Sequence, residues 1–312
     1  MKQIVVVTGP TASGKTELAV DLALALGGEV VSADSMQIYR GMDIGTAKPT
    51  PSEMRGVPHH MLDVAEPGES YSVSRYEQEA ACCVDDILSR GRLPVVCGGT
   101  GQYIDALIAG TGFLESGAES GIRARLEQEW DACGAAAMLA RLGQFDPQSA
   151  ARLHPNDRKR VIRAIEVYEL TGKTMTQHNE ETCLRAPRYR AAMLALNTEP
   201  RDILYARIDL RVRRMLEAGL VREIIALRES GALRGTAAQA IGYKEFSDYL
   251  DGNGTLEDAA ALVAQKSRNY AKRQLTWLRR NDKIQWIVYN HIDAKQEVFE
   301  KATAFLQHMG IK

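Results

Sequence analysis

Eight residues near the amino terminus, Gly9-Pro10-Thr11-Ala12-Ser13-Gly14-Lys15-Thr16, constrain this chain more than any other segment. GPTASGKT fits the pattern GxxxxGK[ST] in the context that the pattern requires. Before it, residues 3–7 (QIVVV) form a short apolar, β-branched run that reads as a strand buried on both faces of a parallel sheet. After it, Leu18, Leu22 and Leu26 recur at helical spacing with alanines between them, and Gly27-Gly28 ends the helix. A glycine loop between strand and helix turns its N–H groups toward an anion at the helix amino terminus. All eight residues are therefore candidate diphosphate ligands, with Lys15 reaching the outer phosphate and the Thr16 hydroxyl ligating Mg²⁺. The loop specifies a diphosphate without specifying a nucleotide.

The remaining pattern supports the same architecture. Residues 29–32 (EVVS) form a second strand, a polar stretch with Gly and Pro covers 40–71, and a helix is predicted over 74–89. Residues 93–97 (LPVVC) then run as a strand into Gly98-Gly99-Thr100-Gly101 and another helix. Strands alternating with helices, with glycine turns at the carboxyl ends, give an α/β fold: a parallel sheet of P-loop NTPase type. Residues 111–121 read as a linker, and the chain to about 187 is helical in pattern with no convincing strand. Residues 190–196 (RAAMLAL) read as a further strand, helices occupy 201–280, residues 284–289 (IQWIVY) are a late strand, and a helix ends the chain. The expected organisation is a catalytic core of residues 1–110 and 190–312 with an inserted helical subdomain at 111–189.

Composition excludes several classes. The 312 residues are 45% hydrophobic, enough to bury a core without disulfides. The first ten residues hold too short an apolar run for a signal peptide, and no window approaches the roughly 18 apolar residues of a membrane span. Cys82, Cys83, Cys97, Cys133 and Cys183 show no CxxC spacing and read as reduced thiols of a cytoplasmic protein. His59-His60 has no second ligand pair nearby and reads as structural or as a polar contact. The net charge of −1 hides an asymmetry: residues 1–110 carry 8 Lys/Arg against 14 Asp/Glu, and the other 202 carry 31 against 26. Positive charge gathers at residues 152–163 and 266–283, two stripes that suit a polyanion.

An ATP-hydrolysing machine would place an acid at the end of a later core strand to help hold magnesium, but LPVVC ends in GGTG. The acid that follows a core strand is Asp34, within ADSMQIY, at the ligand-binding edge of the sheet. Its carboxylate can take a proton from an acceptor, or it can cap a turn, since Asp-Ser is common in turns. Thr100 brings a hydroxyl to the same crevice. Residues 268–280 (RNYAKRQLTWLRR) interleave cations with Tyr270 and Trp277, a mixture that can grip phosphates and stack bases, while Leu275 and Leu278 mark a core face.

Together these segments resemble the tRNA dimethylallyltransferases. The resemblance is carried by GPTASGKT, by ADSMQIYRGMDIGTAKP from Ala33, and by GGTGQY from Gly98. It continues through HPNDRKRVIRAIEVYELTGK from His154, QAIGYKE from Gln239 and RNYAKRQLTWLR from Arg268, in family order across almost the whole chain. It implies transfer of a dimethylallyl group from dimethylallyl diphosphate to the N6 amine of the adenine 3′-adjacent to the anticodon, flipped out of its stack to meet the donor. Core and insertion together would grip the anticodon stem-loop. Asp34 would be the base and Thr100 would hold the bridging oxygen or the amine in line. Lys15, the loop amides and Mg²⁺ at Thr16 would stabilise departing pyrophosphate, with Arg207 and Arg211 as a second clamp. Asp34, Ser35, Met36, Gln37 and Thr100 would meet the flipped base, and Lys159, Arg160, Val161, Ile162 and Arg163 the rest of the tRNA. Gln102 stands where leucine is common, residues 113–120 replace a more proline-rich linker, and no carboxyl-terminal zinc finger follows, as in the bacterial form. The expected enzyme is cytoplasmic and monomeric, with no obligate protein partner. The competing readings are a P-loop small-molecule kinase, a free-adenylate prenyltransferase and a non-catalytic RNA-binding module.

Overall fold

The computed structural model describes residues 2–110, 121–184, 186–291 and 294–311, and all but one of their side chains, that of Cys183. The linker expected at 111–120 lies outside them. Two compact units emerge, one of Met1–Ile108 with Arg188–Lys312 and one of Ala109–Pro187.

In the first unit, strand β1 (Gln3–Thr8) leads through helix α1 (Lys15–Ala25) to β2 (Gly28–Ser32), and then α2 (Pro51–Met54) precedes β3 (His59–His60). Helix α3 (Val73–Ser89), β4 (Leu93–Gly98) and α4 (Gly101–Ala109) follow. The second unit holds α5 (Ile122–Phe145), α6 (Pro147–Arg152), α7 (Arg158–Thr171) and α8 (Met175–Leu184). The chain returns to the first unit with β5 (Arg190–Thr198), α9 (Arg201–Glu217), α10 (Leu220–Glu229), α11 (Ser247–Leu250), α12 (Leu256–Leu278), β6 (Gln285–Tyr289) and α13 (Lys295–His308).

The six strands form one sheet in the order β3-β2-β4-β1-β5-β6, every pair parallel. Period-two alternation sorts the central strands onto two faces. Val5, Val7, Val95 and Leu194 pack with residues of α1 and α13, while Ile4, Val6, Val96 and Ala195 pack with α3, α4, α9 and α12. Each of the Val, Leu and Ile side chains among them is fully buried and contributes about 1.5–3 kcal/mol on leaving water. The register levels the strand ends, with Thr8 opposite Gly98 and Ala195, and Ser32 opposite Cys97. The segments that follow β1, β2 and β4 therefore leave the sheet at one edge. Because the chain crosses β4's place to build β2 and later adds β5 on the other side of β1, that edge is a topological switch point, where such sheets bind ligands.

Strand β3 was not expected. It is two residues long and paired on one side only, to Val30 and Val31, so no β-branched run announces it. His59 and His60 serve polar contacts: His59 Nδ1 meets the Val57 carbonyl at 2.8 Å and His60 Nε2 meets Glu29 at 2.7 Å. Cys82, Cys83, Cys97 and Cys133 are free thiols. Among the described residues no helix is long and apolar enough to cross a membrane.

Glu29 is 2% exposed, and Arg90 Nη2 reaches it at 2.9 Å. The Arg90 hydrogen bonds, aided by His60 and opposed by burial, hold its carboxyl at about 2 against an ordinary 4.5. A depressed carboxylate contributes its stability in full above the unfolded pKa and loses it as pH falls toward the folded one, so the loss here spans pH 4.5 to about 2. That gap is worth about 3 kcal/mol. Glu29→Gln is expected to be less stable than the wild type at neutral pH and to lose less on acidification through this window. Thermal unfolding as a function of pH measures both.

In the second unit, Leu126, Met138, Leu142, Val161, Ile162, Ala164 and Ile165 form a separate core. Gly134 (φ 79) breaks α5. Arg125, Glu129, Arg141 and Glu169 close a ring of ion pairs across α5 and α7.

Candidate active site

The phosphate loop bridges the end of β1 and the start of α1. Gly14 caps α1 in the left-handed region (φ 83), no side chain caps the helix, and its first N–H groups are left to a ligand. The Ser13 Oγ is buried inside the loop with no hydrogen-bond partner, a second polar group suited to an incoming anion. Below the loop, the Tyr289 hydroxyl donates to the Ser13 carbonyl at 2.8 Å. Lys15 Nζ lies 3.3 Å from the Pro10 carbonyl, and burial holds its ammonium below the ordinary lysine value. The Cys97 thiol bonds the Lys15 carbonyl and the Thr16 side chain, and burial pushes it up to about 11, so it stays protonated.

Helix α9 lays two arginines over this loop. Arg207 Nε donates to the Ala12 carbonyl at 2.7 Å. Arg211 spans from the Thr11 hydroxyl to the Thr46 carbonyl, at 3.4 Å each, and burial lowers its pKa. Both arginines thus stand at the loop, four residues apart on one helix face.

Asp34 lies two residues beyond β2. Its Oδ1 accepts from the Met36 N–H at 2.9 Å and the Gln37 N–H at 3.4 Å, so the turn-capping reading holds, and Oδ2 lies outside those bonds. Thr100 follows β4, and its N–H donates to the Ala33 carbonyl at 3.2 Å. The Thr100 Oγ1 accepts from the Ser35 N–H at 3.1 Å. The carboxylate and the hydroxyl are therefore knitted together beside the loop. Gln37 is tied more tightly than expected. Its Oε1 accepts from Ser32, and its Nε2 donates to the Thr46 and Ala47 carbonyls, which makes it a fixed wall of the site.

The segment 43–47 that meets Gln37 and Arg211 is itself held from α10. The Glu223 carboxylate accepts the N–H groups of Asp43, Ile44 and Gly45 at 2.8–3.0 Å and the Tyr243 hydroxyl at 2.7 Å. This explains why a GYKE segment so far along the chain accompanies DIGTAK. Sequence reasoning missed Glu223, and also Gln274. Tyr270, expected among cations and base-stacking residues, is half-buried: Arg273 lies over its ring, 5.5 Å from the centroid, its hydroxyl interacts with the Thr100 and Gln274 side chains, and burial raises it to about 12. Trp277 donates to Asp105 at 2.9 Å.

The basic run on α7 lies in the second unit. Lys159 and Arg160 are exposed, and Arg163 pairs with the buried Glu166 at 2.7 Å. Val161 and Ile162 must be corrected as surface positions, because their side chains are 0% and 3% exposed in that unit's own core. Helical spacing turns them away from the face that Lys159 and Arg160 present.

Gathered at the sheet edge are an anion-binding loop, an ammonium, two guanidiniums, a carboxylate and a hydroxyl. Such a set can hold a diphosphate, take a proton from an acceptor and stabilise the departing phosphate group.

Comparison with known proteins narrows the chemistry. The IPP transferase family matches residues 37–281 and the isopentenyl transferase family matches residues 2–66. The tRNA dimethylallyltransferase of Caldanaerobacter subterraneus is 42% identical over 306 residues, 97% of each chain. That of Geobacter sulfurreducens is 48% identical over 288 residues, 92% of each. Among solved structures, the tRNA isopentenylpyrophosphate transferase of Bacillus halodurans superposes with a TM-score of 0.71 at 42% identity, covering 99% of this chain and 98% of its own. A eukaryotic dimethylallyltransferase described as acting on tRNA gives 0.82 at 29% identity, covering 99% of this chain and 80% of its own.

Proposed function

Since this chain belongs to the tRNA dimethylallyltransferase family, we propose that it joins C1 of dimethylallyl diphosphate to the N6 amine of the adenine 3′-adjacent to the anticodon in tRNA, releasing pyrophosphate. The observation that carries this reading is the meeting of Asp34 and Thr100 with the phosphate loop at one sheet edge.

An adenine amine is a weak nucleophile, because its lone pair is delocalised into the ring. Asp34 Oδ2 takes its proton as the N–C bond forms and the C–O bond to diphosphate breaks. Thr100, whose hydroxyl accepts the Ser35 N–H and donates to the Ser35 Oγ at 3.4 Å, turns that proton to the bridging oxygen when the donor binds. Lys15, Arg207, Arg211 and the loop amides stabilise the negative charge that grows on the leaving group. Among the described residues no group of three or more His, Cys, Asp or Glu gathers to hold a metal. A donor set of one hydroxyl, Thr16, fits Mg²⁺ carried mainly by diphosphate oxygens and water. When bound, Mg²⁺ supplies further charge neutralisation to the leaving group.

Ser35, Met36 and the immobilised Gln37 line the flipped adenine, while Lys159, Arg160 and Arg163 of the helical unit contact tRNA phosphates. Val161 and Ile162 support that helix from beneath. The same reading has the enzyme acting as a monomer in the cytoplasm.

The test is transfer of radiolabel from dimethylallyl diphosphate to unmodified tRNA, beside parallel reactions with adenosine monophosphate and with γ-labelled ATP. Mg²⁺-dependent label in tRNA, lost when that adenine is replaced and weakened by salt, is the expected result. Label in free adenylate instead, or phosphate moved to a small acceptor, would overturn it.

A further inference from the structure

We propose that Gln274 is a positioning residue that braces the phosphate loop against Thr100 and so sets the distance between donor and acceptor. The inference rests on the assignment of the loop and Thr100 above.

Gln274 lies on α12, 6% exposed, and its amide uses both ends. Oε1 accepts the Thr11 N–H of the phosphate loop at 2.8 Å, and Nε2 donates to the Gly99 carbonyl at 2.9 Å. Gly99 precedes Thr100, whose N–H donates to the Ala33 carbonyl next to Asp34. The Gly99–Thr100 peptide is thus held at its oxygen by Gln274 and at its nitrogen by the Asp34 segment. One side chain therefore joins the loop that holds the leaving group to the two residues that face the amine. Gly99 makes the contact possible, since a Cβ there would stand 2.1 Å from the Gln274 Nε2. One helical turn earlier, the Tyr270 hydroxyl interacts with both Thr100 and Gln274 from the same helix face.

A brace of this kind acts on rate through alignment. Reacting atoms held about 1 Å out of place cost about 10²-fold, whereas binding surfaces away from the reacting centre are untouched.

Gln274→Ala is expected to lower kcat about 30-fold while the KM for tRNA stays within about threefold. If Gln274 acts through Thr100, adding Thr100→Ala changes kcat by no more than about twofold beyond Thr100→Ala alone. Should Gln274→Ala fail to fold, Gln274→Glu supplies the test. A protonated carboxyl can accept from Thr11 and donate to Gly99 as the amide does, but an ionised one can only accept. Its saturated rate relative to wild type should then fall between about pH 6 and pH 8. Wild-type kcat in Gln274→Ala, losses that multiply in the double variant, or a flat relative profile in Gln274→Glu would overturn the proposal. Full activity of Thr100→Ala would overturn the Thr100 assignment as well, a distinct result from multiplying losses.

Discussion

Asp34→Asn is expected to lower turnover by about 10² to 10⁴ while tRNA affinity and the thermal midpoint stay close to wild type. The variant separates two jobs that one side chain performs. Oδ1 caps the turn by accepting the Met36 and Gln37 N–H groups, and the asparagine carbonyl can accept the same bonds. What asparagine cannot do is take a proton from the amine. Asp34→Ala removes both functions, so it should match the turnover loss and add the cost of a lost cap, about 1 kcal/mol. Single-turnover kinetics with tRNA binding measured in parallel reads the first effect, and thermal unfolding reads the second. Equal turnover in Asp34→Asn and wild type would make Asp34 a cap and nothing more.

Lys15→Met is expected to cost about 10² to 10³ in kcat, the range found when one preorganised donor to a developing anion is removed. Its charge also predicts a pH dependence. Burial lowers the Lys15 pKa, Arg211 adds to the effect, and Asp34 opposes it. The ammonium of the free enzyme is therefore lost as pH rises through a value below the ordinary 10.5. The donor kcat/KM should fall along that limb, while kcat falls only at higher pH, because a bound diphosphate favours the charged form. Lys15→Arg should abolish the limb without restoring the full rate, since a guanidinium stays charged but does not fit a site built for a compact ammonium. Initial rates across pH at low and at saturating donor distinguish the two.

What could be read from the sequence follows how local the chemistry is. The phosphate loop declares itself in eight consecutive residues, and the strands beside it are apolar because both their faces are covered. Asp34 and Thr100 were legible for the same reason, each standing just past a recognisable core strand. The Gln274 brace and the hold of Glu223 on the Asp43, Ile44 and Gly45 N–H groups were not. Gln274 lies 263 residues from Thr11 and 175 from Gly99, and Glu223 lies 180 from Asp43, separations that no periodicity encodes. Gln274 did leave a trace: a polar residue inside the buried stripe of Ala271, Leu275 and Leu278. Tyr270 was read with the cations around it, and Arg273 does lie over its ring, but the reach of its hydroxyl toward Thr100 was not legible. Val161 and Ile162 were carried along with a basic run whose spacing alone would have turned them inward.

Strand β1 lies in the middle of the sheet, yet its two neighbours are made at very different times. β4 follows it within the first 98 residues, but β5, which pairs with it over six positions, is complete only at Thr198. On the ribosome, β1 must wait with one edge open while the whole helical unit is synthesised and leaves the exit tunnel. That unit has its own core and ends at Pro187, so it can fold before the sheet closes. Closing a long loop costs little more than closing a short one, because the entropy grows only with the logarithm of its length. The burden falls on time: an exposed apolar edge during translation is the stage at which this chain is most open to capture by chaperones and to aggregation.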